Sequence, residues 1–114
     1  MLSLDALRQF GANTDEGLQR CFGNEQFYFR LVKMMPGDAN FQKLYDALDS
    51  GDLAAGFEAA HALKGALGNL ALTALYDPVQ EITELLRSRT EMDYGPLLEV
   101  IRTRRDQLAI LCED

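Results

Sequence analysis

The sequence predicts an all-α protein, an antiparallel up-and-down four-helix bundle with short N-terminal helices packed on one side or end. Three observations carry this expectation. Strand signals are missing: no stretch alternates cleanly, and the β-branched aliphatics are few, namely Val32, Val79, Val100, Ile82, Ile101 and Ile110. Apolar residues instead recur at i, i+3 and i+4 along most of the chain. The connections between these segments are short, which forces successive helices to run antiparallel. The 114 residues suffice for a single domain, 1–114, with one modest core, and no internal repeat or linker interrupts it.

Helix punctuation divides the chain. A short helix is expected from about Leu4 to Phe10, stopped by Gly11. Thr14 can cap a second, ending at Gly23. Asn24 can cap a third, which runs to Met35 and is broken by Pro36-Gly37. Phe27, Leu31 and Met34, with Tyr28, Val32 and Met35, supply its apolar residues, and the two methionines are expected to fill core space. Asp38 caps the fourth helix, which buries Phe41, Leu44, Tyr45 and Leu48 and ends near Ser50-Gly51. Asp52 caps the fifth, which ends around Asn69 or Leu70. Thr73 is the expected cap of the sixth, running to about Arg89, with Pro78 one turn inside leaving a bend or a weakened first turn. Asp93 opens the last helix, from Tyr94 to about Cys112, with Leu97, Ile101, Leu108 and Leu111 buried. Its Arg102, Arg104 and Arg105 form a solvated face whose aliphatic stems cover the bundle.

Composition excludes several function classes. The formal charge of −7 argues against nucleic acid or an anionic membrane as the main partner. No run of about 18 apolar residues exists to span a bilayer, and the N-terminus, MLSLDALRQFG, lacks the pattern of a secretory signal. Cys21 and Cys112 fit neither a zinc pattern nor a disulfide framework, so two reduced thiols in a cytoplasmic protein are expected.

The informative stretch is HALKGALG, residues 61–68, which holds the only histidine of the chain. An ideal helix turns about 100° per residue, which places Ala54, Phe57, Glu58, Lys64, Gly65 and Gly68 within about 60° of His61. Gly56, Ala59, Ala60, Leu63, Ala66, Leu67 and Leu70 occupy the other side, the core face. His61 therefore projects to solvent or to a groove rim. Gly65 and Gly68 leave bare backbone beside it, although each weakens the helix by about 1 kcal/mol relative to alanine. Lys64 lies within reach of anything attached to His61. A neutral imidazole, with an ordinary pKa of about 6.5, can attack a phosphoryl group, and a neighbouring ammonium can balance charge on the phosphoryl oxygens. A single histidine cannot build a conventional metal site or hydrolytic triad by itself, so no metal ligands are assigned. Nor does the chain carry a Walker or Rossmann glycine loop. The phosphoryl group, and the Mg²⁺ that its transfer needs, must come from a partner.

His61-Ala62-Leu63-Lys64-Gly65, followed by Ala66 and Gly68, resembles the signature of histidine-containing phosphotransfer (HPt) domains. The resemblance implies a four-helix bundle that is a phosphocarrier and not an enzyme. It would exchange phosphoryl groups with response-regulator receiver domains and a hybrid histidine kinase, as a monomer, with no cofactor bound by this chain and Mg²⁺ held by the receiver. His61 would be the phosphoacceptor, Lys64 the lysine near the phosphoryl group, and Gly65 the small residue that keeps the site open. Two positions depart from the family pattern. Ala71 stands where many members have glycine. Thr83 stands where many have a glutamine or glutamate that orients the imidazole, with Gln80 one turn earlier as the other candidate.

The function expected is that of a phosphorelay intermediate, accepting on His61 and passing to another receiver. Gly65, Gly68, Glu58 and Ala54, with the segment around Leu18, are expected to meet the partner. The alternative is a phosphorylation-independent adaptor that binds receivers with the same face. A cofactor bundle with His61 as axial ligand is disfavoured by the outward angle of His61. Met1 and the self-contained bundle favour a free-standing protein over a module cut from a kinase. Plainer roles stand beside these: Lys64 could pair with Glu58, Thr83 could serve an outer face, and Phe57 is more simply core than docking patch.

Overall fold

The computed structural model describes residues 2–113, and these are helical with no strand; Met1 and Asp114, the ends of the expected domain, lie outside the described residues. The helices are α1 (Leu4–Phe10), α2 (Thr14–Arg20), α3 (Glu25–Met34), α4 (Ala39–Asp49), α5 (Leu53–Asn69), α6 (Thr73–Arg87) and α7 (Gly95–Leu111), with one 3₁₀ turn, Met35–Gly37, between α3 and α4.

Several helix starts are where capping chemistry puts them. The side chains of Asn24, Asp38 and Asp52 accept the N–H groups of Phe27, Asn40 and Ala55, satisfying donors that have no partner inside the helix. Two expected caps are corrected. Asn13, not Thr14, caps α2 by accepting from the Glu16 N–H; Thr14 is buried, and its hydroxyl accepts from Arg8 Nε. Thr73 does not cap α6 with its side chain. The free N–H of Ala74 instead donates to the Gly11 carbonyl, so another segment does the capping.

Ends also shift where the backbone turns left-handed. α2 stops at Arg20, before Gly23, because Phe22 and Gly23 have φ of +59° and +73° and the Gly23 N–H reaches back to Leu18. α6 stops at Arg87, and Arg89 takes φ +53°. α3 gives way at Met34 to the 3₁₀ turn. That helix buries Tyr28 and Val32, and Met35 beyond it is buried too; Met34 is 66% exposed, so it is not the core filler expected.

α5 is flanked by α4 and α6, and α7 packs on α6. The α5–α6 pair is antiparallel: Gly68 lies beside Tyr76, and Phe57 lies beside Arg87. α7 also reaches α4 through its arginines, which do more than lie over the bundle. Arg102 and Arg105 place their guanidinium groups over the rings of Tyr45 and Phe41, and Arg104 donates to the Ala74 carbonyl. α6 continues unbroken through Pro78. The buried core is one cluster that includes Leu7 and Tyr28 from the N-terminal helices with Leu44, Leu63, Leu67, Ile82 and Leu108.

The N-terminal helices fix the turn between α5 and α6. Asn13 N–H donates to the Ala71 carbonyl and Ala74 N–H donates to the Gly11 carbonyl, each at 2.9 Å. The Tyr28 hydroxyl donates to the Leu70 carbonyl, also at 2.9 Å. Gly17 makes room for that ring, since a Cβ there would meet it at 2.6 Å. Three bonds thus hold the end of the helix that carries His61.

Candidate functional site

α5 divides by burial as its sequence divides by angle. Gly56, Ala59, Ala60, Leu63 and Leu67 are buried, and His61 is exposed. Gly56 serves close packing, because a Cβ would meet Leu48 Cδ2 at 3.0 Å. On the other side an open groove runs between α5 and α6. His61, Lys64, Gly65 and Gly68 line one wall, and Tyr76 and Asp77 line the other. α2 closes one end with Glu16 and Arg20; Arg20 bonds to Glu16 and reaches Asn69 across the groove at 3.4 Å.

The two glycines differ. A Cβ on Gly65 would meet nothing within 4 Å, so the backbone beside His61 is open. A Cβ on Gly68 would lie 3.1 Å from Tyr76 Cε1. Gly68 therefore also admits the tyrosine ring that joins α5 to α6. Ala54 is exposed two turns before His61 and is outside this groove. Glu58 lies on the other flank of α5, in the groove against α4 with Lys43 and Asp46. The structure does not bring Glu58 to the imidazole, nor does Lys64 form an ion pair with it.

Of the two α6 residues the sequence suggested, Thr83 is level with His61 but does not face it. The Gly68–Tyr76 and Phe57–Arg87 pairings put His61 level with Thr83 and Glu84. Thr83 is fully buried, and its hydroxyl donates to the Val79 carbonyl at 2.6 Å. It faces the core, and no hydrogen bond joins it to the imidazole, so it does not orient the ring. Gln80 is exposed, one turn earlier in α6 and level with Lys64, and forms no hydrogen bond with the imidazole.

Glu84 and the stacking role of Phe57 were not read from the sequence. Glu84 stands one residue beyond the expected position. Its hydrogen bond from Arg87 Nε, at 2.8 Å, holds its carboxyl below the usual range, and the charges of Lys64 and His61 act in the same direction. Phe57, one turn before His61, stacks on the imidazole with ring centroids 5.5 Å apart and planes 25° apart. Among the described residues no group hydrogen-bonds the imidazole, and no cluster of three or more His, Cys, Asp or Glu could hold a metal ion.

The geometry is an exposed imidazole, a lysine in the same groove wall and uncovered backbone one turn on. A family model, the Hpt domain, matches residues 37–111, well over half the chain and all of α4 to α7. The chain belongs to the Hpt domain family. Hpt domains are phosphocarrier modules of two-component signalling that carry the phosphoryl group on histidine and interact with response-regulator receivers. His61 is the only histidine of this Hpt domain and lies inside the matched region. No curated protein and no solved structure matches the chain. No helix of the described residues is long and apolar enough to cross a membrane.

Proposed function

We propose that the protein is a phosphorelay intermediate in which α4 to α7 act as an antiparallel four-helix bundle presenting His61. A receiver carrying an aspartyl phosphate docks on the groove between α5 and α6. One imidazole nitrogen attacks phosphorus, the N–P bond forms and the acyl phosphate O–P bond breaks. The receiver carboxylate leaves with the bonding electron pair, and a second receiver later takes the phosphoryl group by the reverse chemistry. Lys64 balances charge on the phosphoryl oxygens, Gly65 allows the receiver backbone to approach, and the receiver contributes the Mg²⁺. The protein works as a cytoplasmic monomer that meets its partners in turn.

The observation that carries this reading is the exposure of His61 beside Lys64 and the empty space at Gly65. The test is incubation with a phosphorylated receiver and Mg²⁺, followed by detection of acid-labile phosphate. Label should appear on His61 in the wild type and disappear in His61→Gln. Equal labelling of both proteins would defeat the reading.

A further inference from the structure

We propose that Phe57 is a positioning residue that fixes the plane of the His61 ring by stacking, in place of a hydrogen-bond acceptor on the facing helix. The inference deepens the phosphoacceptor reading of His61 and rests on it.

An exposed imidazole on a helix is free to rotate about χ2 unless something restrains it. The acceptor expected on α6 is missing: Thr83 is fully buried in the core, where its hydroxyl donates to the Val79 carbonyl, and it forms no hydrogen bond with the imidazole. What touches the ring is Phe57, one turn earlier on the same helix face, at 5.5 Å between centroids with planes 25° apart. That near-parallel arrangement is a favoured geometry for two aromatic rings.

Phe57 is itself restrained. It is half-buried against the core. Two guanidinium groups, one from the last residue of α6 and one from the turn after it, lie over its ring, with Arg87 Cζ 5.0 Å and Arg89 Cζ 5.8 Å from the centroid. Each arginine has a further partner. Arg87 is held by Glu84, and Arg89 donates to the Leu86 carbonyl at 2.6 Å. The order from α6 to the site is therefore carboxylate, guanidinium, phenyl, imidazole.

The chemistry favours such a restraint. A hydrogen-bond acceptor occupies one ring nitrogen, whereas stacking occupies a face and leaves both nitrogens at the free edge. Attack on phosphorus needs the nitrogen lone pair aligned with the breaking bond, and small misplacements of a reacting group cost large factors in rate.

The test compares Phe57→Leu, which keeps bulk without the ring, with Phe57→Tyr, which keeps the ring. The first readout is the proton spectrum of the His61 imidazole. In the wild type and in Phe57→Tyr, ring current should move its carbon-bound protons upfield of free histidine; in Phe57→Leu they should return. The second is the rate of His61 phosphorylation by a phosphorylated receiver, expected to fall about tenfold in Phe57→Leu and to be kept in Phe57→Tyr. Thermal unfolding checks that both variants fold. Imidazole protons at free-histidine positions in the wild type would overturn the proposal, as would a folded Phe57→Leu that transfers at the wild-type rate. Phosphoamidate labelling separates the two levels: a wild type that no donor labels on His61 removes the phosphoacceptor reading, while the spectrum still decides whether the ring is stacked.

Discussion

Arg104 Nη1 donates to the carbonyl oxygen of Ala74 at 2.6 Å, tying α7 to the first turn of α6. Pro78 explains why that oxygen is available, since a proline four residues on has no N–H to give it. A helix can therefore keep an interior proline because a neighbouring helix supplies the missing donor. Arg104→Ala should lower stability by about 1–2 kcal/mol in urea unfolding, because it leaves a part-buried acceptor without its partner. The same substitution on a Pro78→Ala background should cost clearly less, since the restored amide can take the carbonyl. Equal losses on both backgrounds would show that Arg104 acts by some other means.

The two glycines of the His61 face should respond differently to added side chains. Gly65→Ala fills open space on an exposed helix and should raise stability by about 1 kcal/mol. Gly68→Ala should gain less, because the Tyr76 ring must yield to the new methyl group. Gly65→Gln should fold normally and slow transfer from a receiver by about tenfold, with labelling by a small phosphodonor little changed. If both donors slow alike, the open backbone serves the imidazole and not the partner.

Much of this arrangement was legible in the residues. Periodicity separated the buried face of α5 from the His61 face, and Asn24, Asp38 and Asp52 marked helix starts by their side chains. Thr14 and Thr73 misled because capping depends on which groups lie nearby: Asn13 preceded the first, and the Gly11 carbonyl, sixty-odd residues away in the chain, served the α6 start. The axial level of Thr83 was right and its direction was not. One position along a helix turns a side chain by about 100°, which is the difference between Thr83 in the core and Glu84 on the surface. The Phe57 stack was within reach, since its spacing from His61 puts two rings on one helix face, but the arginines over it come from the far end of α6 and the turn after it and appear only in the fold.

Tyr28 should make the protein sensitive to alkali. Burial, with a smaller contribution from Cys21, pushes its phenol up to about 12 from the ordinary 10.0. A folded pKa above the unfolded one means that folding favours the protonated form. Its stabilising contribution is complete below pH 10 and is lost as pH rises toward 12. Ionisation also removes the proton given to the Leu70 carbonyl. Tyr28→Phe should lower neutral-pH stability by about 1 kcal/mol and flatten the fall in stability between pH 10 and 12. Unfolding curves across that range, with tyrosinate absorbance followed in parallel, provide the check. A phenol that ionises near 10 in the folded protein would refute the argument.

Ala71 offers the most direct test of how the turn after α5 is held. It has φ +53°, the left-handed conformation that glycine adopts without penalty and that costs other L-residues about 1–2 kcal/mol. The turn thus keeps the backbone that glycine would favour, although the residue is alanine. Its carbonyl accepts the Asn13 N–H, and its neighbour Leu70 accepts the Tyr28 hydroxyl, so the surrounding bonds hold the strained residue in place. Ala71→Gly removes the Cβ conflict but loosens the unfolded chain and gives up a small buried methyl group. The relief should win by about 1 kcal/mol, raising the unfolding temperature by roughly 4 °C. Ala71→Val should go the other way and by more, because a β-branched side chain tolerates positive φ poorly. An Ala71→Gly protein less stable than the wild type would mean that the methyl contact outweighs the strain, and that the turn is set by packing more than by its three hydrogen bonds.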